Sequence, residues 1–136
     1  MKDDLQAPSV MLIDDEELDS FIVGRMIRHT LSNIKINSCL NGLKAIQTLK
    51  RLLKSNPNEL PDYIFLDLSM PVMDGFQFLN EYDHLNIDPL KKTKIYVLSS
   101  SIFTADIKRA LSSSLVTGFI SKPLNSQKLK EIFDIN

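Results

Sequence analysis

Five times along this chain a short apolar run gives way to a segment of helical period, and that alternation restricts the fold more than any other feature. The runs are VMLI at 10–13, IKINSCL at 34–40, YIFLDL at 63–68, KIYVLSSS at 94–101 and LVTGFI at 115–120. Each has the length and the branched or aromatic content of a strand. The intervening segments repeat apolar residues three or four positions apart. They are 17–31 with Leu18, Phe21, Ile22, Met26 and Ile27, then 43–54 with Leu43, Ile46, Leu49, Leu52 and Leu53. A third, with Phe76, Leu79 and Tyr82, runs to about Leu85; a fourth runs from Thr104 to about Ser113; the last, 124–135, carries Leu129, Ile132 and Phe133. Asn125 is placed to cap this last helix. NPNELP at 56–61 is a clear break, MPVMDG at 70–75 a loop. Apolar strands of this kind need helices on both faces of their sheet. Right-handed crossovers then give one open parallel sheet. The expectation is an α/β fold: a single domain over 1–136, core about 9–135, with five strands, five helices and no output domain.

A chain of 136 residues, 43% of them apolar, has room for one ordinary hydrophobic core. The net charge of -1, without a basic stripe, argues against direct nucleic-acid binding. KKTK at 91–94 reads as a solvated loop. No window approaches eighteen continuous apolar residues, and the N-terminus lacks the apolar stretch of a signal peptide. The expected setting is therefore the cytoplasm, with no membrane contact. Cys39 is the single cysteine and reads as a small buried hydrophobe.

Open parallel sheets bind ligands beyond the carboxyl ends of their strands. Asp14 and Asp15 follow the first run, Asp67 falls at the end of the third, Ser99 and Ser100 in the fourth, and Ser121, Lys122 and Pro123 after the fifth. The second run is followed only by Asn41 and Gly42, so it is expected to lie away from the chemistry. Any one of these acids is ordinary as a cap or turn residue. Three carboxylates, a hydroxyl and an ammonium on one rim are not. Two carboxylates ~4 Å apart repel by about 4 kcal/mol at an effective dielectric near ~20. Lys122 offsets one charge; a divalent ion offsets two. The donors are all oxygen, which favours Mg²⁺. A metal and an ammonium beside a spare carboxylate suit phosphoryl transfer. A carboxylate can itself accept the phosphoryl group. Asp67 ends the central apolar run and stands apart from the pair, which makes it the best acceptor. Glu16 either aids this pocket or simply suits a helix N-terminus. His29 and His84 fall outside the cluster and read as surface or boundary residues.

LIDDEE (12–17), FLDLSMPVMDG (65–75), VLSSS (97–101) and GFISKP (118–123) together resemble the receiver domain of bacterial two-component response regulators, of the stand-alone, chemotaxis-regulator-like kind. The resemblance covers nearly the whole chain and implies the flavodoxin-like receiver topology. It implies that Asp67 is the phosphoacceptor. Asp15 is then a direct Mg²⁺ ligand, Asp14 a ligand mostly through water, and Asp67 and the Ser69 backbone carbonyl further ligands. Lys122 pairs with Asp67 and then with its phosphate, and Pro123 follows in a cis-proline turn. Ser99 hydrogen-bonds the phosphoryl group, and Phe119 is the aromatic that turns inward with it. Met70 and Pro71 shape the loop after Asp67, and Gly75 eases the start of the third helix. The implied function is a single-domain response regulator that takes its phosphoryl group from a sensor histidine kinase or a histidine phosphotransfer protein, with Mg²⁺. It then switches its face toward a downstream protein, as a monomer or a phosphorylation-dependent dimer, or relays the group onward. Its chemistry is self-phosphorylation and self-dephosphorylation rather than multiple-turnover metabolism.

Three departures from the family pattern stand out. Ser100 replaces a common alanine, Phe119 a tyrosine, and SSSLVTG at 112–118 is about one residue longer than the family pattern. Two rival readings remain open at this stage. A metal-dependent phosphatase with an aspartyl intermediate also wants a carboxylate after a strand, but many carry a second acid where this chain has Ser69. A binding module indifferent to phosphate is the other; its partner affinity stays flat when a beryllofluoride mimic is added.

Overall fold

The computed structural model describes residues 8–68, 70, 73–89, 91–100 and 103–134. Strands β1 (Ser9–Ile13), β2 (Lys35–Cys39), β3 (Tyr63–Asp67), β4 (Lys94–Ser99) and β5 (Val116–Ser121) alternate with helices α1 (Glu17–Thr30), α2 (Gly42–Ser55), α3 (Gly75–His84), α4 (Thr104–Ser112) and α5 (Ser126–Ile132). The strands form one parallel sheet in the order β2-β1-β3-β4-β5. From β1 the chain passes first to one side, making β2, and then to the other, making β3. The crevice at that reversal, beyond the carboxyl ends of β1 and β3, is where such a sheet can receive a ligand.

Alternation along each strand divides the core into two layers. Met11, Ile13, Ile64, Leu66, Ile95 and Val97 face α2, α3 and α4, meeting Ile46, Leu49, Phe78, Tyr82 and Ala110. Val10, Leu12, Phe65, Leu98 and Ile120 face α1 and α5, meeting Ile27, Leu129 and Ile132. Side chains close the starts of α2, α3 and α5. Asn41 accepts from the Lys44 N–H at 2.9 Å, and Asn125 from the Lys128 N–H at 2.8 Å, as expected of that residue. Asp74 and Gln77 form a capping box on α3, which the sequence reading passed over. Within the break at 56–61 a short 3-10 turn forms at Pro57–Glu59.

Helix α1 forms as its spacing predicts, but the spacing alone does not show which face is covered. Leu18, Phe21 and Ile22 are not core residues: they are 68%, 60% and 49% exposed, and the buried stripe is Ser20, Gly24 and Ile27. The helix lies over β1 with Gly24 toward Leu12, so the buried stripe combines two small residues with Ile27, while Leu18, Phe21 and Ile22 face outward. Leu43 and Leu53 likewise sit at the edges of the α2 stripe. Cys39 is buried, although β2 is an edge strand exposed along most of its length. Elements also end earlier than expected: β4 at Ser99 and α5 at Ile132. Ser101 and Ile135 lie outside the described residues. Strand β5 carries a bulge near its start. Ile95 pairs with Val116 and Tyr96 with Gly118, so Thr117 is the extra residue. Among the described residues, no helix is long and apolar enough to cross a membrane.

Candidate functional site

Strand β1 is buried along its whole length, and the first polar side chain after it is Asp14. Its backbone N–H donates to the Cys39 carbonyl at 3.1 Å, extending the β1–β2 pairing by one step. Its Oδ1 accepts the Glu16 N–H at 2.9 Å, which turns the chain into α1. Asp14 is therefore held from both sides, and its carboxylate is buried at the rim. Asp15, next along, is the more open residue. Glu16 contributes its backbone to this turn, and its side chain is exposed.

Asp67 ends β3 beside β1 and is also buried. Carboxylate oxygens of Asp14, Asp15 and Asp67 lie within 4.8 Å of one another. The chain leaves Asp67 through Leu68, whose carbonyl accepts the Gly75 N–H at 2.9 Å. This hydrogen bond sets the first residue of α3 against the end of β3. Ser69 and Pro71 belong to that loop and lie outside the described residues; Met70 is buried in the core.

Lys122 completes the cluster. Its backbone N–H donates to the Ser99 carbonyl at 2.9 Å, so the end of β4 holds the residue after β5. The Lys122–Pro123 peptide is cis, as the resemblance implies. The ammonium reaches three acids: Asp14 Oδ2 at 3.4 Å, Asp19 Oδ2 at 3.5 Å and Asp67 Oδ2 at 3.7 Å. Burial by itself lowers the Lys122 pKa, but the fields of Asp67, Asp14 and Asp19 outweigh it, and the net direction is upward. The ammonium is therefore firmly charged at neutral pH.

Ser99 is buried at the end of β4, paired in register with Ser121. Phe119 is half-buried, two residues earlier on β5, and packs against the α2–α3–α4 layer opposite Val97. The rim thus collects Asp14, Asp15, Asp67, Ser99 and Lys122 from four strand ends, while Phe119 lies back along its strand. His29 and His84 are exposed and outside the cluster. The residue that sequence reasoning missed is Asp19. It is part of the acidic run that begins at Asp14, and a helix starting at the rim keeps its first-turn side chains near the rim.

Four carboxylates and one ammonium leave this site with an excess of negative charge. The donors are hard oxygens, three of them already convergent, with a buried pair and one open member. That set fits a divalent cation that keeps part of its water shell, as Mg²⁺ does.

Known proteins resemble this chain in sequence and in fold. The family model described as the response regulator receiver domain matches residues 10–134. The chain is 28% identical over 123 residues to the sensor histidine kinase CheAY of Helicobacter pylori, covering 90% of this chain and 14% of that protein. It is 31% identical over 121 residues to a protein-glutamate methylesterase/protein-glutamine glutaminase of Treponema denticola, covering 87% of this chain and 29% of that protein. It therefore spans less than a third of either relative's length. A two-component response regulator from Cytophaga hutchinsonii superimposes with a TM-score of 0.84 at 30% identity, covering 95% of this chain and 96% of that one. One from Legionella pneumophila does so with a TM-score of 0.77 at 28% identity, covering 93% and 95%.

Proposed function

Because the chain belongs to the response regulator receiver domain family, we propose that it is a phosphorylation-controlled switch whose acceptor is Asp67. The observation that carries this reading is the meeting of Asp14, Asp15, Asp67 and Lys122 at one strand-end crevice. A sensor histidine kinase or a histidine phosphotransfer protein supplies the group from a phosphohistidine. The donor's N–P bond breaks, its electron pair staying with the imidazole nitrogen, as an O–P bond forms to the Asp67 carboxylate. Exposed Leu18, Phe21 and Ile22 on α1, next to the rim, offer the donor an apolar landing surface.

Asp15 and Asp67 would hold Mg²⁺ directly. Asp14 would act mostly through water, because its Oδ1 already accepts the Glu16 N–H and its Oδ2 faces Lys122. The resemblance assigns a further ligand to the backbone carbonyl of Ser69, which lies outside the described residues. When bound, Mg²⁺ would supply positive charge to offset that of the phosphoryl oxygens. Lys122 orients the Asp67 carboxylate beforehand and pairs with the phosphate afterwards. The Ser99 hydroxyl then donates to a phosphoryl oxygen. Phe119 turns inward with it and repacks the face made by α4 and β5, a local charge change biasing a two-state element. That face binds a downstream protein or a second copy of the chain; passing the group onward is the other use of the same chemistry. The setting is the cytoplasm.

Incubation with a small acyl phosphate and Mg²⁺, followed by intact mass, tests the reading. The wild type is expected to gain one phosphoryl mass and Asp67→Asn none. No gain in the wild type, or an undiminished gain in the variant, overturns it.

A further inference from the structure

Asp19 plays no part in the reading above, yet it holds Lys122 as closely as the acids that do. Its Oδ2 is 3.5 Å from the ammonium, against 3.4 Å for Asp14 and 3.7 Å for Asp67. The three acids differ in position. The side chains of Asp14 and Asp67 are 10% and 11% exposed, whereas that of Asp19 is 41% exposed. Asp14 and Asp67 also belong to the trio whose oxygens converge, and Asp19 does not. The ammonium thus bridges the inner cluster and one outer acid on the first turn of α1.

A cation that settles among Asp14, Asp15 and Asp67 repels the ammonium and competes with it for two of its three partners. The third partner is Asp19, outside the convergent trio and toward solvent. The long lysine side chain can swing to it without leaving the crevice, and the charge is never left unpaired. We propose that Asp19 is a positioning residue that takes charge of Lys122 when the metal binds, an inference that rests on the Mg²⁺ reading above. Without Asp19, the ammonium's remaining acidic partners among the described residues are the metal's own ligands, and metal binding has to break those pairs uncompensated.

Mg²⁺ titration calorimetry on the full chain tests this as a double-mutant cycle with Asp19→Asn and Lys122→Met. In the wild-type background Asp19→Asn is expected to weaken Mg²⁺ binding about three- to fivefold, the range of a partly exposed ion pair. In the Lys122→Met background it is expected to change affinity by less than about 1.5-fold, because no ammonium remains to be positioned. Simple attraction of Mg²⁺ by the Asp19 charge gives the opposite order, since Lys122→Met unmasks that charge. Asp19→Glu keeps the pairing group and is expected to retain most of the affinity. A loss as large or larger in the Lys122→Met background overturns the inference alone. Failure of the wild type to bind Mg²⁺ overturns both it and the metal reading beneath it. Coincident thermal melts of Asp19→Asn and wild type without metal exclude a folding defect; should that variant fail to fold, the Asp19→Glu comparison in the two Lys122 backgrounds decides.

Discussion

Replacing Gly75 with alanine sets local and tertiary preferences against each other. Gly75 is the first residue of α3, and no glycine described here has a left-handed φ, so its backbone conformation suits alanine. On local grounds the change is stabilising by about 0.4–1 kcal/mol, because alanine restricts the unfolded chain. The packing says otherwise. A Cβ at this position falls 2.8 Å from the Asp67 carbonyl oxygen and 2.8 Å from the Cα and Cδ2 of Leu68. Two of those atoms are backbone at the end of β3, so no rotamer change relieves the clash. The Gly75 N–H is also tied to the Leu68 carbonyl at 2.9 Å, which resists withdrawal of the helix. Overpacking of this kind costs about 1–3 kcal/mol, leaving a net loss of about 1–2 kcal/mol after the local gain. Urea unfolding followed by circular dichroism is expected to show a lower midpoint with an unchanged m-value. Because the strain lands on Asp67, phosphoryl uptake from a small acyl phosphate is expected to slow as well. An alanine variant as stable as the wild type, or more so, refutes the claim that Gly75 is needed for close approach.

Asp74→Ala removes one half of the capping box on α3 and is expected to cost about 1 kcal/mol in the same urea assay. Lys122→Met leaves buried Asp14 and Asp67 without their ammonium, and without metal it is expected to lower stability by about 1–3 kcal/mol, discounted for the lysine's partial exposure. Mg²⁺ is expected to raise the melting temperature of that variant more than that of the wild type. Burial pushes the Tyr82 phenol from 10.0 up to about 12, with Asp88 adding to the rise and a hydrogen bond with Thr93 opposing it. The unfolded chain therefore loses this proton first. The stability that Tyr82 contributes is whole below pH 10 and is lost, by about 3 kcal/mol, as pH rises toward 12. Tyrosinate absorbance is expected to rise together with alkaline unfolding, and ionisation well before unfolding contradicts this. Burial also raises the Cys39 thiol pKa, so alkylation at neutral pH is expected to be slow until denaturant is added.

Strand and helix order were legible in the sequence because period two and period three-to-four are local properties of the chain, read without knowing what packs where. The same locality made Asn125 readable as a cap. It also allowed Asp14, Asp15, Asp67, Ser99 and Lys122 to be assigned to strand ends, since a parallel sheet puts every carboxyl end on one rim. Helix α1 shows where locality stops. Leu18, Phe21 and Ile22 keep helical spacing, yet the buried face is Ser20, Gly24 and Ile27, because how closely a helix sits on its sheet is decided by both surfaces. Asp19 was invisible as a site residue for a similar reason: its meeting with Lys122 spans 103 positions and depends on the pitch of α1 over the rim. Gly75 is expected to ease the start of the third helix, and the reason it suits that place, a Cβ that would meet the backbone of Asp67 and Leu68, is visible only in the packing. What the chain by itself determined was the succession of elements and the chemistry available at their ends, both written in neighbouring residues. What only the tertiary structure decided was which faces are covered and which charges lie within reach of one another, because those depend on distances between segments far apart along the chain.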